Sequence, residues 1–181
     1  MTIATPENGW VNTADGQNPE AIARARQMLE GTIYGTLSTC SPDGLPWASP
    51  VFFTYDSAWN LYWASTMVAQ HSQNLYGNHG RAAIAIYSTQ PEAGKGQGIY
   101  LSGTAAEVAA EDVDRIIPLL LKRAAKGQKR SPADYLDLSP RRLYRFQPQM
   151  VWITGERIAL SETVLIDTKI QLDLASLIAM P

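Results

Sequence analysis

Apolar residues change period along the chain, and each change marks an element. From Asn18 the chain reads NPEAIARARQMLEG, and Ile22, Ala25, Met28 and Leu29 share one face at helical spacing. Asn18 is placed to cap that helix, Pro19 to fill its first turn and Gly31 to end it. The preceding residues, 1–18, are polar with Asn-Gly and Asp-Gly turn pairs, and read as an irregular arm. After Gly31 the period shortens. Thr32 to Thr39 is rich in β-branched and aromatic residues, and Ser41-Pro42-Asp43-Gly44 is a strong turn signal. Leu45 to Tyr55 reads as the returning strand, with Pro46 and Pro50 at edge or irregular positions and Val51 and Phe53 facing the core. Asp56 to Asn60 turns the chain again, and Leu61 to Ser65 is a third strand. Two tight connections in succession predict an antiparallel meander.

Ala69 to Tyr76 is short, polar and helical in pattern, and Gly77-Asn78-His79-Gly80 stops it. Arg81 to Ser88 reads as a buried strand, Gln90 to Gly98 as a Gly-rich loop, and Ile99 to Val108 as another strand. Gly103 within it marks a bulge or a close backbone approach. In Glu111 to Lys126 an apolar stripe of Val113, Ile116, Ile117, Leu120, Leu121 and Ala124 predicts an amphipathic helix. Pro118 inside it predicts a kink or two short helices. Arg142 to Gln147 and Met150 to Thr154 read as two short strands around Pro148. The tail from Thr163 to Met180 is ambiguous between strand and helix. Even strand spacing, short connections and few helices predict a mainly β fold with peripheral helices, a small closed or half-closed antiparallel barrel. A Rossmann arrangement is disfavoured, because strands do not alternate with long crossover helices.

Composition narrows the function classes. The 181 residues fit one domain, or one domain with an elaborated tail, and the 45% hydrophobic content is enough for a real core. With 15 basic against 17 acidic residues, the net charge of −2 excludes a polybasic nucleic-acid binder and an acidic disordered tail. One cysteine excludes a disulfide scaffold and a Cys-cluster metal site, and two histidines, His71 and His79, argue against a zinc enzyme. No apolar stretch approaches the roughly 18 residues of a membrane span, and residues 1–10 lack the pattern of a secretory signal. The expectation is a cytoplasmic protein with no membrane and no nucleic-acid partner. Gly-x-Ser-x-Gly, P-loop and dinucleotide signatures are missing from the sequence. Cys40 and His71 could pair as nucleophile and base, but no orienting Asn or Asp is suggested, and a cysteine beside a β-turn is ordinary. No catalytic residue is assigned.

The order of elements says more than any single motif. GTLSTCSPDGLPWASPVFFTYDSAWNLYWAST, then a short helix with AQHSQNL, then RAAIAIY, then GQGIYLSGTAAEV, resembles the pyridoxamine 5′-phosphate oxidase-like flavoproteins. These are the FMN-binding split β-barrels, and the resemblance covers roughly Glu20 to Trp152. It implies a six-stranded antiparallel Greek-key split β-barrel and a homodimer holding FMN at the subunit interface. On this reading 1–18 is an arm, 19–155 the FMN-binding split-barrel domain, and 156–181 a C-terminal extension packing on the barrel or the dimer.

The resemblance also implies a site. The FMN phosphate would meet the hydroxyls of Ser65 and Thr66 and the free N–H groups of the helix that follows. The family's Arg-Lys pair at this helix start falls on Gln70 and His71, a departure that replaces two fixed cations by an amide and an imidazole. A phosphate beside His71 would favour its protonated form. The ring would lie against the backbone of Ala48, Ser49, Pro50 and Val51, with Gln97, Gly98 and Trp152 near it. The resemblance implies an FMN-dependent oxidoreductase that passes hydride or electrons to a small-molecule substrate. Alternatives within the same fold are a non-catalytic flavin- or haem-binding dimer and a deazaflavin-dependent reductase. Thr54 stands where a substrate lysine would be expected, and the tail after Trp152 does not match the Arg-rich segment of true pyridoxamine phosphate oxidases. Both departures argue against that particular substrate.

Overall fold

The computed structural model describes residues 2–92 and 94–179, which leaves Met1, Ala93 of the Gly-rich loop, and Met180 and Pro181 of the tail outside. Two compact units are formed. The first comprises Met1–Thr32, Ala85–Leu101 and Met150–Pro181; the second comprises Ile33–Ile84 and Ser102–Gln149.

In the first unit the arm carries a two-residue strand, β1 (Val11–Asn12), and leads into helix α1 (Pro19–Gly31). Asn18 caps α1 as expected, its side chain accepting from the N–H groups of Glu20 and Ala21. Ala21, Ile22, Ala25 and Leu29 are buried along one face. Strand β1 pairs in parallel with β11 (Lys169–Leu172), which pairs antiparallel with Val151–Thr154 of strand β8 (Arg141–Thr154). A two-stranded ribbon, β9 (Ile158–Ala159) with β10 (Leu165–Ile166), and a short helix, α4 (Leu174–Ala179), complete this unit. The ambiguous tail is thus part strand and part helix.

In the second unit β2 (Tyr34–Cys40) and β3 (Pro46–Phe52) form a hairpin with Leu37 opposite Ser49 and Gly35 opposite Val51. Its turn is the one the sequence predicts, with Gly44 at φ +90° and its N–H donating to Ser41 O. The predicted strand from Leu45 to Tyr55 divides at Phe53, whose N–H turns to Ile33 O at 3.1 Å, and β4 (Thr54–Tyr55) then pairs with β5 (Leu61–Thr66). Asp56 organises the next turn by accepting from the N–H groups of Ala58 and Asn60 and from the Tyr62 hydroxyl at 2.8 Å. Helix α2 (Gln70–Gly77) follows. Helix α3 (Val113–Arg123) runs through Pro118 as one helix rather than two. Its Val113, Ile116, Ile117 and Leu120 pack with Tyr62, Tyr135 and Leu143, burial that outweighs the roughly 3 kcal/mol an internal proline costs.

Strands β6 (Arg81–Tyr87), β7 (Gly98–Glu107) and β8 have residues in both units. Pairing follows β1-β11-β8-β7-β6-β2-β3, with β5 also on β8 and β4 on β5. The mainly β class with added helices agrees with expectation, whereas the six-stranded count does not. Nine strands share the main sheet, and its pairing path does not close among the described residues. The difference arises because arm and tail contribute β1 and β11, and because the predicted strand from Leu45 to Tyr55 divides into β3 and β4. The two predicted strands around Pro148 are one continuous strand. Residues 141–146 pair with β5 and 151–154 with β11, so Pro148 falls between the two ladders and its missing N–H costs neither of them a bond. Gly103 has the predicted close approach: a Cβ there would stand 2.1 Å from Gln147 O.

Candidate functional site

Helix α2 is held against the β2–β3 hairpin by amide side chains. Asn74 donates to Thr39 Oγ1 at 2.9 Å, and Asn78 donates to the carbonyls of Cys40 and Arg81, each at 2.9 Å. Gly77 lets the helix end lie on the turn, since a Cβ there would meet Pro42 at 2.7 Å. This docking brings the first turn of α2 beside β3 and β5. The cap residue Ala69 offers no side-chain acceptor, and the helical bonds begin with Gln73 N–H to Ala69 O. The N–H groups of Gln70, His71 and Ser72 therefore point beyond the helix, as the first N–H groups of any helix do.

His71 is the centre of this corner. The residue is 9% exposed, and its ring lies between two hydroxyls, with Nδ1 3.1 Å from Ser49 Oγ and Nε2 2.9 Å from Ser65 Oγ. Burial pushes its pKa below the ordinary imidazole value of 6.5. The expected protonation depends on a phosphate beside the ring; desolvation alone disfavours the charged form, and the two hydroxyl contacts tie β3 to β5 through the imidazole. Ser49 Oγ also accepts from Trp47 Nε1 at 2.9 Å. Ser65 is half-buried at the end of β5.

The other expected residues are distributed as follows. Thr66, half-buried, ends β5, and its carbonyl accepts from Ala69 N–H at 3.1 Å. Gln70 is exposed and donates to Asn74 Oδ1 at 2.8 Å. Ala48 and Pro50 are exposed in β3, and Val51 is buried on the same side as Ser49. All of these belong to the second unit. Gln97, Gly98 and Trp152 belong to the first. There Gly98 N–H donates to Thr154 Oγ1 at 2.9 Å, and Gln97 helps line a cavity of about 270 Å³ with Tyr87, Ser88 and Tyr100. Gln97 Oε1 is buried without a hydrogen-bond partner, and Trp152 lies beneath the Lys169 ammonium at 5.8 Å.

Two features escaped the sequence reading. Arg142 is the ladder partner of Ser65 in the β5–β8 pairing, so the two side chains share a face. Its guanidinium is fixed by the carbonyls of Ser139 and Asp137 and by Glu107 at 3.5 Å. Only strand register reveals that neighbour, since the two positions are far apart in the chain. The second is a groove of about 580 Å³ lined by Leu75, Tyr76, Ala105, Glu107, Tyr144 and Arg145, among others. The Tyr76 hydroxyl donates to Glu107 Oε1 at 2.5 Å, so the Tyr144 hydroxyl, 2.7 Å away, must donate to Tyr76. Desolvation and the Glu107 bond push the Tyr76 pKa well above its usual value. Tyr144 in turn stacks on the fully buried Trp63 with ring centroids 5.6 Å apart.

Fold and site together define a sheet-dominated fold with several helices and a bonded hydroxyl cluster at one helix start. The profile of pyridoxamine 5′-phosphate oxidase matches residues 22–155, and the chain belongs to that family. No curated protein matches it. Among solved structures, a haem-binding protein from Mycobacterium smegmatis is 23% identical with a TM-score of 0.63, covering 90% of this chain and 61% of its own. A protein of unknown function from Agrobacterium tumefaciens, Atu2129, is 22% identical with a TM-score of 0.65, covering 80% of this chain and 60% of its own. The chain thus spans about three-fifths of the length of both. The haem storage protein HutZ of Vibrio cholerae is 18% identical with a TM-score of 0.60, covering 71% of this chain and 91% of its own. An F420 reductase is 21% identical with a TM-score of 0.53, covering 70% of this chain and 94% of its own. These likenesses are of fold. Among the described residues no helix is long and apolar enough to cross a membrane.

Proposed function

We propose that this protein is an FMN-dependent oxidoreductase acting as a cytoplasmic homodimer on a small-molecule substrate, with the flavin phosphate held at the start of α2. The observation that supports this reading is the donor set of that corner. Ser65 Oγ is half-buried and bonded inward to His71, and beside it the N–H groups of α2's first turn lack intrahelical acceptors. Arg142, opposite Ser65 in the ladder, is a guanidinium already paired with Glu107 that would share its remaining charge with a phosphate in this proposal. A phosphate monoester needs such N–H and O–H donors together with positive charge, and the residues present fit it. Thr66, Gln70, Ala48, Ser49, Pro50 and Val51 complete this corner in the proposal. Gln97, Gly98 and Trp152, in the first unit, are ring-contact candidates through the family resemblance alone.

Bound FMN supplies hydride or single-electron chemistry at its ring. This chain's residues bind and orient it. His71 has both ring nitrogens engaged by serines, which argues against the same imidazole serving as a haem ligand. The test is titration of the purified protein with FMN, riboflavin, F420 and haemin, followed by absorbance between about 350 and 500 nm, where flavins and haem absorb. The expected result is saturable FMN binding near one per chain, riboflavin much weaker, and bleaching of bound FMN by NADH or NADPH. Retention of haemin or F420 with no FMN binding overturns the proposal. Sedimentation checks the dimer.

A further inference from the structure

The hydrogen bonds around His71 have a direction that one residue determines. An indole nitrogen donates and never accepts, so Trp47 Nε1–H must donate to Ser49 Oγ. Ser49 is then satisfied if its own hydrogen goes to His71 Nδ1, 3.1 Å away. A neutral imidazole that accepts at Nδ1 carries its hydrogen on Nε2, and that hydrogen goes to Ser65 Oγ at 2.9 Å. Ser65 now accepts from inside the protein, so its own hydrogen is free to point outward. The opposite arrangement is worse. With the hydrogen on Nδ1, Ser49 would accept twice, its hydrogen would lack an acceptor at a site only 9% exposed, and Ser65 would turn its hydrogen inward.

We propose that Trp47, Ser49 and His71 are positioning residues that fix Ser65 as an outward hydrogen-bond donor, so that the corner selects a ligand oxygen bearing no hydrogen, as in an ionised phosphate monoester. This rests on the flavin-phosphate reading for its ligand, but not for its internal bonds. It also accounts for the missing Arg-Lys pair: the imidazole acts through Ser65 and need not touch the anion. Burial keeps His71 neutral near pH 7, which the relay requires.

Two measurements on the full chain test it. The first is the 15N spectrum of the His71 ring near pH 7.5, safely above the ordinary imidazole value. The expected result is the neutral Nε2–H tautomer in the wild type and a mixture of tautomers in Trp47→Phe. Trp47 is 47% exposed, so the substitution leaves the buried core untouched. The second is affinity for FMN, riboflavin and inorganic phosphate. Trp47→Phe and Ser49→Ala should each weaken FMN and phosphate about fivefold, the worth of one ordinary net hydrogen bond, and leave riboflavin unchanged. Ser49→Thr should restore the wild-type value. An Nδ1–H tautomer or an imidazolium in the wild type overturns the relay, as does a Trp47→Phe variant with unaltered tautomer and affinity. If the tautomer behaves as expected and inorganic phosphate binds while FMN does not, the relay stands and the flavin reading falls.

Discussion

Replacing Ser65 by alanine separates the ligand's interest in this corner from the protein's own. The hydroxyl does two things in the structure. It accepts from His71 Nε2, and it offers its remaining hydrogen outward. A hydrogen bond to a charged phosphate oxygen is worth about 1.5–3 kcal/mol, so its loss should weaken FMN roughly 10- to 150-fold. The same substitution leaves Nε2–H without an acceptor in a residue 9% exposed, which should cost about 1–3 kcal/mol of stability. Calorimetric titration with FMN and riboflavin reads the first effect, and a denaturant melt the second. Ser65→Thr keeps a hydroxyl and should recover both. A Kd for FMN within about twofold of wild type in Ser65→Ala, alongside lower stability, would show that the hydroxyl serves the fold alone. A weakened Kd without any loss of stability would refute the inward bond from which the donor direction is argued.

Gly103→Ala should lower stability by about 2–3 kcal/mol, because its Cβ would stand 2.1 Å from Gln147 O and strand backbone must move; a thermal melt should shift down by roughly 4–10 °C. Ser72→Ala should raise stability by about 1 kcal/mol in a denaturant melt, because Ser72 is fully buried and its hydroxyl has no partner. Stability should also depend on pH through His71, whose folded pKa lies below the ordinary 6.5. Above that value both states are neutral and the full stability is present. As pH falls through 6.5 the unfolded chain takes up the proton first, so stability declines until pH passes below the folded pKa; His71→Gln should lose that segment of the urea-melt profile. A wild-type profile that rises on acidification in this window would mean that the ring is charged in the native state.

The parts of the fold legible in the sequence are those decided by local chemistry. Asn18 and Pro19 announce a capped helix because side-chain capping and a fixed φ act within one turn. The Ser41–Gly44 turn and the Asp56 turn are visible for the same reason, and the α3 stripe is visible because burial repeats at 3.6 residues. Features that depend on distant partners were not visible. Pro148 looks like a break between strands when only its own segment is considered. In the structure it falls between the β5 and β11 ladders of β8, a fact held in residues far away in sequence. The two-residue β1 carries no periodic signal at all, and exists because β11 lies beside it.

The same division runs through the candidate site. Ser49, Ser65 and His71 could be named from the sequence as polar residues near a strand end and a helix start, and the structure brings these three within hydrogen-bond distance of one another through the central imidazole. What the sequence could not show is what the imidazole does. Read in isolation, a histidine in place of a lysine is a weaker, titrating cation. Placed between two hydroxyls and desolvated, it becomes a neutral bridge with one donor and one acceptor, and Trp47 determines which nitrogen is which. In the proposed site a fixed charge would come from Arg142, opposite Ser65 by strand register and paired with Glu107. The helix-start dipeptide and the positive charge are separate there: His71 bonds two hydroxyls, Gln70 bonds Asn74, and Arg142 stands on a neighbouring strand.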